Sequence, residues 1–193
     1  MTTTRNAFAC SALALAGCLA AAQASAQGFV GASIGQSDID EEITTGLITS
    51  GTVDAKDTGW KIFGGYMFNR HFGVEAAYVN LGEVSYSGTF SGFPVTGGKV
   101  EVTGFNIAAL GSYPINEQFS LFGKLGLFMW EAEASDTTAG IPFSATADGT
   151  DVSFGVGVSY NFTRNLGVRA EWELFKLDEA DATLLSVGAV FRF

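Results

Sequence analysis

Seven charged side chains stand inside stretches that otherwise alternate between apolar and small residues: Lys61, Glu75, Lys124, Arg169, Glu171, Glu173 and Arg192. An ionised group withdrawn from water needs a partner of opposite sign. Four of these side chains are cations and three are anions, so they are expected to pair with one another. Held static, such a set is a polar plug. Able to exchange partners, it is a gate along a thin water path. Catalytic chemistry has less to work with. His71 is the only histidine and sits in a short basic connection, Asn69-Arg70-His71. Neither a Ser–His–acid site nor a zinc site can be assembled around it. Ser153 and Ser159 read as small residues of a strand face, and Asp38-Ile39-Asp40-Glu41-Glu42 lacks the glycine and spacing of a calcium loop. No cofactor, no metal and no enzymatic activity are expected.

The elements that must position these charges are strands. From Val152 to Phe162 the chain reads VSFGVGVSYNF. Val152, Phe154, Val156, Val158, Tyr160 and Phe162 share one parity, and Ser153, Gly155, Gly157, Ser159 and Asn161 share the other. A period of two places these sets on opposite faces of a strand. The bulky apolar face suits lipid, the small polar face suits the crowded interior of a narrow barrel, and the length suits a tilted membrane-crossing strand. The same alternation predicts strands over 29–36, 59–68, 72–81, 99–113, 119–134, 166–177 and 183–193. The lumen charges fall on the small-residue parity. In the stretch 99–113 the phase changes between Val100-Val102 and Phe105-Ile107, which suggests a bulge near Thr103-Gly104. Short turns at Asn69–His71, Pro114–Gln118 and Thr163–Asn165 alternate with longer polar segments at 37–57, 82–98 and 135–150. The expected fold is all-β, an eight-stranded antiparallel up-and-down transmembrane barrel with short periplasmic turns and longer external loops. Trp60, Phe68, Phe72, Tyr113, Phe119, Trp130, Tyr160, Phe162, Phe191 and Phe193 are placed to form interfacial girdles.

Composition agrees with this reading. Hydrophobic residues make up 47% and charged residues 16% of the chain, while no long uninterrupted apolar run follows the N-terminal segment. The formal net charge of −10 argues against nucleic acid as a partner. Residues 1–26 read as a signal peptide: Arg5 precedes an Ala-rich apolar core, and Ala24-Ser25-Ala26 forms a cleavage pattern. Residues 27–193 are then the barrel domain, with both cysteines, Cys10 and Cys18, lost on cleavage. Leu15-Ala16-Gly17-Cys18 also resembles a lipobox, which would make Cys18 a lipidated first residue.

The chain resembles the OmpA-like transmembrane domain of Gram-negative outer membranes. The resemblance is carried by Gly64-Gly65-Tyr66-Met67-Phe68-Asn69, by Gly73-Val74-Glu75-Ala76-Ala77-Tyr78, by Tyr113-Pro114-Ile115-Asn116, by Lys124-Leu125-Gly126 and by Arg169-Ala170-Glu171-Trp172. The last eight residues look like the C-terminal signal read by the barrel-assembly machinery, with Ser186, Gly188, Phe191 and Phe193 at its characteristic positions. The resemblance implies that Glu75, Lys124, Arg169 and Glu171 occupy interior gate positions. Where family members can carry a lysine and a glutamate as alternative gate partners, this chain has the Ala109–Leu110 region and Ser159. No peptidoglycan-binding domain is expected to follow the barrel.

Together these readings give a monomeric outer-membrane barrel, reached by Sec-type export, surrounded by outer-membrane lipid and lipopolysaccharide. Its expected role is structural or in surface interaction, such as membrane integrity or adhesion. The alternative is a narrow porin-like channel gated by lumen salt bridges. A soluble lipocalin-type barrel would need a large apolar interior, and the small polar parity leaves no obvious ligand cavity.

Overall fold

Backbone amides and carbonyls in a bilayer must find partners within the protein, and a closed strand ring satisfies all of them. That ring is present in the computed structural model, which describes residues 27–40, 48–54, 56–90, 93–138, 141–177 and 180–193. The predicted signal peptide, with Cys10 and Cys18, lies outside the described residues. The strands are β1 (Gln27–Asp40), β2 (Ile48–Asp54), β3 (Lys56–Met67), β4 (Phe72–Phe90), β5 (Phe93–Pro114), β6 (Phe119–Thr138), β7 (Ile141–Asn161), β8 (Leu166–Leu177) and β9 (Ala180–Arg192). Eight of them close antiparallel: β1 pairs with both β3 and β9, and β4 pairs with both β3 and β5. The short β2 follows β3 along the same edge of β4 and pairs with its upper part, Ser85 to Phe90.

The described parts of all three segments expected to be loops are strand instead, and 37–57 holds the end of β1, β2 and the start of β3. The β4–β5 ladder continues to Phe90↔Phe93, and the β6–β7 ladder to Thr138↔Ile141. Cross-strand pairing satisfies the backbone of these segments more completely than a polar loop would. The wall is therefore uneven. β8 and β9 have 12 and 13 residues, whereas β4 to β7 have 19 to 22. The β7–β8 ladder begins only at Ser153, below the extended part of β7.

The register corrects the expected bulge. The β5–β6 ladder runs unbroken from Lys99↔Ser135 to Pro114↔Ser120, so Thr103-Gly104 holds none. The extra residue is on β4, where the pairing with β5 steps from Asn80↔Thr103 to Glu83↔Glu101. Gly82 sits there with φ of +83°, a left-handed conformation that lacks a steric penalty only in glycine. Asn80 Oδ1 accepts the Gly82 amide at 2.7 Å, and Asp57 Oδ2 accepts the Glu83 amide at 2.7 Å. The phase change in β5 has another cause: Val102 faces a buried interior while Phe105 and Ile107 face outward, 59% and 57% exposed.

The outer surface is apolar along the strands, with Val30, Ile34, Ile62, Leu125, Leu127, Phe154, Val156 and Val187 all exposed. A soluble lipocalin-type barrel would not leave this belt in water. Aromatic rings cluster at both ends of the wall. Trp60, Tyr78 and Phe105 follow one another with centroids 5.8 and 5.1 Å apart. At the short-turn end Tyr66 meets Phe68 and Tyr160 meets Phe162. Trp130 departs from the expected girdle. It points inward against the core, and its Nε1 donates to Asp151 Oδ2 at 2.8 Å.

Replacing Gly82 by Val should lower stability by about 1–2 kcal/mol through the left-handed backbone while leaving the barrel closed. Urea unfolding from phospholipid vesicles, read by tryptophan fluorescence, checks the loss; heat-modifiable gel mobility checks the closure.

Candidate functional site

The inward parity of four strands delivers six of the seven predicted lumen charges to one level of the barrel. Lys61 comes from β3, Glu75 from β4, Lys124 from β6, and Arg169, Glu171 and Glu173 from β8. Their cross-strand neighbours are small on at least one side: Glu75 stands between Gly65 and Ala108, Glu171 between Gly157 and Ser186, and Lys124 and Glu173 flank Gly155. The long side chains therefore reach across the lumen.

Lys124 Nζ lies 3.0 Å from Glu75 Oε1 and 2.6 Å from Glu171 Oε2, and it also donates to Glu173 Oε1. Lys61 Nζ lies 2.8 Å from Glu171 Oε2 and donates to the second oxygen of Glu173. Arg169 joins the group through Nη1, 2.7 Å from Glu75 Oε2, and through Nε, 3.0 Å from Glu171 Oε1. Three cations meet three carboxylates, and none of the six residues is more than 6% exposed. The cluster is thus formally neutral, as a buried ionic group must be to avoid an uncompensated charge.

Aromatic side chains close the space on either side of the charges. The Arg169 guanidinium lies over the rings of Phe122 at 4.3 Å and Phe63 at 4.6 Å, contacts in which the electron-rich ring faces offset part of its desolvation. Phe29, Leu110 and Val190 are buried with these rings, and Phe128 and Phe175 are fully buried with centroids 4.6 Å apart. Glycines make room for them. A Cβ on Gly31 would lie 2.4 Å from the Phe63 ring, and one on Gly157 would lie 2.4 Å from the Phe122 ring. The interior is consequently not the small polar face expected from 152–162 alone. The missed signal was parity: Phe63 follows Lys61 by two, Phe122 precedes Lys124 by two, and Phe175 follows Glu173 by two.

Arg192 does not join the cluster. It shares the inward parity but is the last residue of β9, at the barrel end, where its Nη1 donates to Asn161 Oδ1 and its Nη2 to Ser159 Oγ at 3.0 Å. Leu110 and Ser159, at the positions of the alternative gate partners, are buried and uncharged. At the C-terminus, Ser186 points inward with Gly188, and Phe191 and Phe193 point outward as half-exposed stacked rings. The Phe193 amide donates to the Gly28 carbonyl at 3.0 Å, which fastens the end of the chain to β1. His71 stays in its turn, with Nδ1 3.2 Å from the Ser112 carbonyl oxygen.

A lipid-facing belt, girdles at both rims and an ion-paired lumen define a small transmembrane β-barrel. The chain belongs to the family described as outer membrane protein beta-barrel domain, whose model matches residues 8–193. It is a protein of the bacterial outer membrane, set in that membrane's lipid and lipopolysaccharide. It is similar to outer membrane protein A of Salmonella typhi, 30% identical across 94% of this chain and 53% of the relative. It is likewise similar to outer membrane protein A of Serratia marcescens, 30% identical across 94% of this chain and 54% of the relative. The chain thus spans about half the length of these relatives. Among solved structures, Ail of Yersinia pestis shares the fold with a TM-score of 0.61 at 22% identity, covering 88% of this chain and all of that one. Neisserial surface protein A shares it with a TM-score of 0.56 at 16% identity, covering 86% of this chain and 97% of that one.

Lys124 touches all three carboxylates, as Glu171 touches all three cations, so Lys124→Met should be among the most damaging single changes in the lumen, costing about 3–5 kcal/mol. Adding Glu173→Gln restores neutrality and should recover part of that loss. A double-mutant cycle on vesicle-unfolding free energies measures the coupling.

Proposed function

We propose that this barrel has a structural and surface-contact role in the outer membrane: it reinforces the bilayer and presents its long strand hairpins outside the cell. The observation that carries this reading is the filled lumen. A neutral ion cluster packed between aromatic layers leaves the interior serving stability, while β4 to β7 project well beyond β8 and β9. The uncharged Leu110 and Ser159 offer Arg169 and Glu75 no ionic alternatives, which favours a static plug over a partner-switching gate.

In this reading the barrel acts as a monomer and carries out no catalysis. His71 has no role beyond its turn. Ser186, Gly188, Phe191 and Phe193 serve the barrel-assembly machinery; the two outward rings are presented where a partner can reach them before membrane insertion. The hairpins beyond the barrel carry the contact function, whose partner class lies outside the cell.

Planar-bilayer recordings test the plug. The refolded protein should show no discrete conductance steps, and the charge-neutral pair Glu75→Ala, Arg169→Ala should show none either, because the aromatic layers remain. Steps in the parent that change in the pair would make the lumen the functional site and favour the channel. Replacing residues 86–97 by a short turn should preserve heat-modifiable folding while reducing attachment of expressing cells to surfaces.

A further inference from the structure

A second polar site lies below the plug, at the short-turn end. A basin of about 820 Å³ opens there, and its charged lining consists of Arg70, Arg164, Arg169 and Arg192 against a single acid, Glu117. This is a cationic recess in a chain whose formal charge is −10. Arg192 is half-buried, yet its guanidinium donates only to the neutral oxygens of Asn161 and Ser159. No carboxylate among the described residues lies within ion-pair distance of it. Arg169 forms the floor. Its Nη1 donates to Glu75 and its Nε is in ion-pair contact with Glu171, but neither Nε nor Nη2 has a hydrogen-bond partner among the described residues. Ser159 pairs with Arg169 on the β7–β8 ladder and accepts from Arg192, and both arginines line the basin.

The rim adds further donors beside Glu117. Asn69 Oδ1 and Asn116 Oδ1 are each occupied by two backbone amides of their turns, which leaves their Nδ2 groups for the basin they line. Guanidiniums that line one basin with N–H groups left over match the oxygens of a tetrahedral anion. We infer that the short-turn basin binds a phosphate-class oxyanion between Arg192 and Arg169, with Ser159 as a neutral partner and Arg70 and Arg164 drawing the anion in. The phosphate can come from free solution or from a lipid headgroup at the inner leaflet.

The test uses the refolded full-length protein in non-ionic detergent without phospholipid, in gluconate buffer at constant ionic strength. Titration with inorganic phosphate, followed by calorimetry and by phosphorus NMR line broadening, should show saturable binding. Arg192→Gln should weaken it by about tenfold or more, since a bidentate charged contact is lost. Ser159→Ala, a smaller change kept in case Arg192→Gln fails to fold, should weaken it about threefold by removing one neutral hydrogen bond. Lys99→Gln, on the opposite end of the barrel, should leave it unchanged. Displacement of phosphate by a short-chain phosphatidylglycerol below its micellar concentration would assign the site to headgroups; failure to displace would assign it to the free anion. Absence of saturable phosphate and short-chain lipid binding, or phosphate binding indifferent to Arg192→Gln and Ser159→Ala, would overturn the proposal.

Discussion

Charge balance inside a closed wall is the constraint on which this molecule depends. The ring of strands excludes bulk water from the level of Lys61, Glu75, Lys124, Arg169, Glu171 and Glu173, so each charge must be neutralised by another side chain rather than by solvent. Lys124 is the hub, bonded to all three carboxylates, and Arg169 and Lys61 complete the balance from either side. Because the six groups come from β3, β4, β6 and β8, the cluster ties together strands that are not all neighbours in the wall. It is satisfied only when the ring is closed in the native register. A slip of one residue on any of these strands would turn its charge toward lipid.

The packing around the cluster follows from the same confinement. An eight-stranded barrel encloses only enough space for side chains, and long ionic groups fill it at one level. Above and below, large rings occupy the space over glycines, as Phe128 does against Gly104 on the hairpin side and Phe63 and Phe122 do against Gly31 and Gly157 on the short-turn side. These rings also provide faces for the Arg169 guanidinium. Aromatic and ionic layers thus support each other: the rings keep water from the ions, and the ions hold the strands at the spacing the rings require.

The two ends of the barrel differ in build. At one end Gly82, Asp57 and Asn80 form a hydrogen-bonded bulge at the base of the extended β4–β5 hairpin. At the other, turns closed by Asn69, Asn116 and Thr163 keep the connections short and surround an arginine-lined basin. Acidic residues dominate the chain as a whole, whereas the charged lining of this recess is mostly arginine.

Much of this was legible in the residue pattern alone. Period-two alternation identified every strand of the ring, and parity assigned Lys61, Glu75, Lys124, Arg169, Glu171 and Glu173 to the interior, because side-chain direction along a strand is a local property of the pleat. The family resemblance was readable for the same reason: its short motifs sit in strands and tight turns. What required tertiary structure was everything set by distances across the lumen. Arg192 has the same parity as the cluster but lies too near the barrel end to reach it. The bulge belonged to β4, not β5, because only the pairing of two strands reveals which one carries the extra residue. The stretches 82–90, 93–98, 135–138 and 141–150 read as loops by composition, yet are strands because each has a partner to satisfy its backbone. Local chemistry determines which way a side chain points; only the closed ring decides what it meets there.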